Sequence, residues 1–376
     1  LLYNFQVKQL IFGVKISEGH DNSMYKKSLL AAVLAAALLL LPACNNKGNN
    51  SPVSSTSTTG STKTPTTATT NPPQSVNPLT GLTDIKKGEW VRPVAIMIGN
   101  NDRSRPQINI DKADMYMEAE TEGGITRIMA VFAGNSRVPN TIGPIRSART
   151  PFIKIAESLD SIYVHAGGSK TGKALLKTAE VGNIDALYGI NNSAFWRDAT
   201  LRRTKGLEYS MMTGGDKLAK RITAFKFSTK FSKPAPFTYG TSKKGAGAGN
   251  NVEIRLSALQ TVSFRYDEES GLYYKINGTL AKGTQHKTQA GVAITATNII
   301  VMYDKKYSEN ERTIGFNLDG GEGLLISEGT SRQIRWTRTK NSLKFTEYDG
   351  TALTLKPGKP YICLTDDDNQ SKTVLS

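Results

Sequence analysis

Cysteine and histidine are scarce in this chain, at two and three of its 376 residues. Cys363 lies in the apolar stretch Tyr361-Ile362-Cys363-Leu364, which reads as a buried strand, and Cys44 has another use described below. No disulfide framework is therefore expected. Two histidines follow residue 43, without the spacing of a metal-ligand set. No apolar run reaches the about 20 residues that a membrane-crossing helix needs; the longest covers Leu29 to Leu41. Acidic residues are also in deficit, 32 against 48 basic ones, for a net charge of +16.

The short apolar run has a context. Lys26 and Lys27 precede it, and Leu41-Pro42-Ala43-Cys44 follows it. A charged start, an apolar middle and a small residue before cysteine make a secretory signal of the lipoprotein kind. The last four residues resemble the bacterial lipobox, with Pro42 in place of the commoner Ala, Ser or Thr. The resemblance implies that Cys44 becomes the lipid-bearing N-terminus, so the protein is expected on the extracytoplasmic face of the cell membrane, held there by its lipid. Residues 24–43 are then a signal peptide, and residues 1–23, which would precede its charged segment, read as translated upstream sequence. Without residues 1–43, which hold four basic and two acidic residues, 44 basic face 30 acidic ones, a net charge of +14. Outside the cell such a charge points away from nucleic acid and toward anionic lipid headgroups or phosphate-rich wall polymers. A solvated basic surface without a specific ligand is the alternative.

Residues 44–76 are Ser, Thr, Asn, Pro and Gly with few apolar side chains, too polar to form a core. They read as a tether with a root-mean-square reach of roughly 30 Å. From 77 to 239, short apolar runs (Val94–Ile98, Ile128–Phe132, Ile162–Val164) alternate with helical candidates near 150–159 and 171–180, the pattern of an α/β or α+β domain. Residues 240–251 are glycine-rich and read as a linker. From 252 to 376, alternating strands and the turn signals Asn277-Gly278 and Asp349-Gly350 predict a mainly antiparallel β domain.

Several motifs carry possible chemistry. Gly167-Gly168-Ser169-Lys170-Thr171-Gly172-Lys173-Ala174 nearly matches a phosphate-cradling P-loop, but Ala174 stands where magnesium needs a hydroxyl. A weaker anion site around Ser169, or an ordinary turn, remains. Arg127, Arg146 and Arg149 lie around the junction of a strand with a helix, where ligands of α/β sheets bind. Their guanidinium groups suit a phosphate or carboxylate, or else pair with Asp114, Glu118 or Glu122. Phe195-Trp196-Arg197-Asp198 is either a docking rim contributing Arg197 or a packed corner. His165 reads as a general acid or base, or as a hydrogen-bonded structural residue.

Asn77-Pro-Leu-Thr-Gly-Leu82, Arg92-Pro-Val-Ala-Ile-Met97, Lys112-Ala-Asp114, Glu122-Gly-Gly-Ile-Thr-Arg127, Ile142-Gly-Pro-Ile-Arg-Ser-Ala-Arg149, Ile162-Tyr-Val-His-Ala-Gly-Gly-Ser169 and Ala194-Phe-Trp-Arg-Asp198 together resemble the YerB-like lipoprotein family. The resemblance extends through Leu355-Lys-Pro-Gly358 and implies an N-terminal domain of unknown function followed by a separate C-terminal one. It departs at Lys205-Gly-Leu-Glu-Tyr209, where a Pro-His-Asn-Leu-Tyr type sequence is expected. The order of features is also distantly similar to the LytR-CpsA-Psr catalytic domain, which transfers glycopolymers from a polyprenyl pyrophosphate carrier. That similarity implies Arg149 as a pyrophosphate ligand and Asp114 as an acidic partner or metal ligand, with Thr150 replacing a family aspartate.

The expected function is that of a lipid-anchored envelope protein binding a phosphorylated or acidic envelope ligand through Asp114, Arg127, Arg146, Arg149, Ser169 and Arg197. A glycopolymer phosphotransferase and a scaffold for wall-synthesis proteins are the alternatives. No cofactor is legible in the sequence.

Overall fold

The computed structural model describes residues 74–89, 91–188, 192–310 and 312–376. The signal, Cys44 and the tether up to residue 73 lie outside the described residues. Among the described residues strands dominate and the four α-helices are short: α1 Thr150–Ser158, α2 Lys170–Leu175, α3 Ala199–Lys205 and α4 Gly215–Ala224.

The apolar runs become the centre of an eleven-stranded sheet. Every residue of Val94–Gly99, Met115–Glu120, Thr126–Phe132, Asn298–Asp304 and Pro360–Asp366 is buried, so both faces of these strands are covered. Alternation along a strand sends neighbouring residues to opposite cores. Val94, Ile96 and Ile98 belong to the same core as Val252, Ile254 and Phe264 of a second, antiparallel sheet. Ala95 and Met97 pack with Phe152, Ile155 and Leu159 on and just after α1. Pro151 in the first turn suits a helix start, where its missing N–H is not needed. α4 buries Leu218 and Ile222, one turn apart on one face.

The N-terminal segment of the large sheet mixes parallel and antiparallel strands, with short helices beside them. Val94–Gly99, Ile162–His165 and Gly182–Asp185 run parallel, whereas Thr126–Phe132 is antiparallel to both Val94–Gly99 and Met115–Glu120. The C-terminal segment is mainly antiparallel. Asn251–Arg255, Thr261–Asp267 and Leu272–Asn277 form its hairpins in the second sheet, and Gly320–Ser327 with Thr330–Thr339 forms one in the large sheet.

Two expected features are corrected. The segments before and after residue 240 share the large sheet, because Pro360–Asp366 inserts parallel to both Asn298–Asp304 and Met115–Glu120. Residues 240–251 are also not a free linker, since Gly247 and Ala248 pair with Ser331 and Thr330. Their glycines serve close approach: a Cβ on Gly245 would stand 2.1 Å from the Ser331 carbonyl oxygen, and one on Gly249 2.7 Å from the Thr330 backbone.

Candidate functional site

The segment Ile145–Arg149 threads between the carboxyl ends of two parallel strands. Arg146 donates its N–H to the Met97 carbonyl (2.9 Å) and accepts from the Ala166 N–H (3.0 Å), and the Ala148 N–H donates to the Gly167 carbonyl (2.8 Å). This backbone lacing fixes Arg146 and Arg149 at the end of the sheet. Arg127, paired in register with Gly99, reaches the same end from the antiparallel neighbour. Arg197 arrives on the short strand Phe195–Arg197, which pairs with Met211–Thr213.

The four arginines line one cleft of about 330 Å³, with Glu122, Glu208, Ile145, Leu187 and Met211 among its other walls. Glu122 lies between two of them, paired with Arg127 and accepting from Arg149 Nε at 2.8 Å. Arg127 is 2 % exposed in its side chain and also donates to the Ser147 carbonyl at 2.8 Å. Burial, reinforced by the neighbouring Arg149, pushes the Arg127 guanidinium down to about 9. Burial pushes the Glu122 carboxyl up, but Arg127 and Arg149 outweigh it and hold it below its ordinary range. Arg146 donates to the Glu208 carbonyl (2.7 Å) and carboxylate (3.2 Å), and its guanidinium lies 5.0 Å over the Tyr209 ring. Four guanidinium groups thus face two carboxylates, leaving an excess of positive charge suited to a di-anion.

The other predicted residues lie elsewhere. Asp114 is buried with Arg137, whose Nη2 stands 2.6 Å from it, and accepts from Asn77 at 3.1 Å and the Ala133 N–H at 2.8 Å. The register pairs Arg127 with Ala119, five residues along the strand from Asp114, so the two sites are about 17 Å apart along the sheet. Asp114 is therefore removed from the ligand set and becomes a tie between Arg137 and the Asn77 turn. Ser169 is removed as well: its hydroxyl caps α2 by accepting the Gly172 N–H at 3.0 Å. The Gly167 N–H donates to Asp185 at 2.7 Å and the Ser169 N–H to Ala148, so this glycine-rich loop spends those donors internally. Thr150 bonds Glu309. Both ring nitrogens of buried His165 are engaged, with the Gly167 carbonyl and Asn183 Oδ1, each at 2.8 Å, the arrangement of a structural histidine. Phe195-Trp196-Arg197-Asp198 divides: Phe195 is core, Arg197 lines the cleft, and Asp198 caps α3 through the Leu201 N–H at 2.8 Å.

Known proteins bear on the same residues. Models of the N-terminal and C-terminal domains of a "Protein of unknown function (DUF3048)" match residues 79–228 and 252–362. The chain belongs to the DUF3048 family. It is 30% identical over 303 residues, 77% of this chain and 86% of the relative, to "Putative lipoprotein YerB" of Bacillus subtilis (strain 168). The crystal structure of YerB from Bacillus subtilis matches with a TM-score of 0.67 at 28% identity, covering 80% of this chain and 98% of that one. Among the described residues no helix is long and apolar enough to cross a membrane.

Within this DUF3048 chain, the departure at Lys205–Tyr209 falls on the cleft itself. Glu208 is a wall residue and Tyr209 stacks under Arg146. Glu208, Leu187, Ile145 and Met211 were not among the sequence candidates. The departing pentapeptide was the available signal for Glu208; the apolar walls carry no chemical signature.

Proposed function

We propose that this DUF3048 protein is a lipid-anchored envelope protein whose arginine cleft binds a phosphorylated or acidic envelope ligand. The observation that carries the reading is the convergence of Arg127, Arg146, Arg149 and Arg197 on one cleft, against two carboxylates among its described lining residues. Arginine forks match phosphate and carboxylate oxygens bidentately, and the half-buried site strengthens those bonds relative to water. The phosphotransferase alternative has less support, because Asp114 stands at the other end of the strand. A scaffold role would use the outer surface and leave the cleft idle. Isothermal titration with inorganic diphosphate, undecaprenyl pyrophosphate analogues and teichoic acid fragments tests the reading. Binding that Arg149→Ala abolishes is expected; no binding, or binding indifferent to that substitution, refutes it.

A further inference from the structure

The face around the cleft mouth combines exposed apolar side chains with a basic ring. Leu187, Tyr188 and Leu207 are 57 %, 60 % and 53 % exposed. Leu187 is itself a cleft wall, and Leu207 directly precedes Glu208 and accepts a bond from Arg197. α3 has no buried residue and presents Arg202 and Arg203 to solvent. Arg103 lies 5.3 Å over the same Tyr209 ring that Arg146 covers. The carboxylates on this face are engaged: Asp102 with Arg105, Asp198 at the start of α3 and Glu208 with Arg146.

Single exposed apolar residues are ordinary, but three beside a cluster of arginines form the pattern of an interfacial anchor. Apolar side chains enter the headgroup layer while the cations meet lipid phosphates. We propose that this face docks on an anionic lipid bilayer, with Leu187, Tyr188 and Leu207 entering the headgroup layer and Arg103, Arg202 and Arg203 contacting its phosphates. The cleft then opens at headgroup level. That orientation rests on the anion-binding reading, whereas the docking itself does not.

Residues 45–376, which contain every described element, are produced without lipid and sedimented with vesicles of phosphatidylcholine, with and without phosphatidylglycerol. Binding is expected only with phosphatidylglycerol and is expected to fall with salt. Each basic residue near such a surface strengthens partitioning about five-fold, so Arg202→Ala with Arg203→Ala is expected to weaken it about thirty-fold. Leu187→Ser with Leu207→Ser should weaken it several-fold. Arg149→Ala, inside the cleft, should weaken it less than either face pair. Circular dichroism verifies folding, and titration of inorganic diphosphate into the same variants reports on the cleft separately. Equal binding to both vesicles, binding indifferent to the four face substitutions, sensitivity to Arg149→Ala alone, or preference for soluble teichoic acid fragments over vesicles would overturn the proposal.

Discussion

Removing Glu118 tests how the two sheets are held together. Lys275, on the second sheet, is 1 % exposed; its ammonium lies 3.4 Å from Glu118 Oε2 and 2.9 Å from Asn277 Oδ1. Glu118 also accepts from Asn100 and Thr126, each at 2.7 Å, and from the Tyr361 hydroxyl at 2.5 Å. Glu118→Ala would orphan these donors and leave a buried ammonium unpaired, which is expected to cost about 3–5 kcal/mol. Lys275→Met fills a similar volume and leaves Glu118 its three neutral donors, so it should cost about 2 kcal/mol. Glu118→Gln combined with Lys275→Met removes both charges and should lie within about 1 kcal/mol of the parent. Urea unfolding at pH 7, followed by tryptophan fluorescence and circular dichroism, measures all three. Losses below about 1 kcal/mol for both single substitutions would refute the account, as would a double substitution costing as much as Glu118→Ala.

Glu208 competes with an incoming anion for Arg146, so Glu208→Ala should tighten diphosphate binding; the carboxylate is exposed and screened, limiting the gain to about five-fold. Unchanged affinity in titration would mean that Arg146 does not touch the ligand. Gly249→Ala should destabilise the fold by about 1–3 kcal/mol through contact with the Thr330 backbone, seen as a lower thermal midpoint; an unchanged midpoint would restore the linker. Burial, with Lys275 and Arg105 adding, holds the His286 imidazole well below its ordinary range. The unfolded chain therefore binds the extra proton first, and stability should decline as pH falls below about 6.5. His286→Gln should flatten that slope in urea titrations between neutral and mildly acidic pH; an undiminished slope would place the proton uptake elsewhere.

Local chemistry was legible where it depended on near neighbours. Arg146 and Arg149 sit four residues and one residue before a helix that begins with Thr150-Pro151, so their place at a turn into that helix could be read directly. Arg127 and Arg197 could be named but not placed, because their positions depend on register with Gly99 and Met211. Asp114 failed for the same reason: a strand's sequence does not show which end will face the cleft. The glycines of 240–251 misled because the residue that permits flexibility also permits close contact, and only Ser331 and Thr330 decide between them. The single large sheet was not legible, since the pairing of Tyr361 with Tyr116 joins residues far apart in the sequence.

That pairing sets an order of assembly. Met115–Glu120 is synthesised long before Pro360–Asp366, and until the latter arrives one side of the earlier strand offers unpaired N–H and C=O groups. Cys363, Tyr361 and Glu118 meet only at that closing step, when the Tyr361 hydroxyl donates to the Glu118 carboxylate. The nascent chain thus carries an adhesive edge through most of its synthesis, a hazard for aggregation that a holdase could cover. Chains cut short before residue 360 should never be relieved of it.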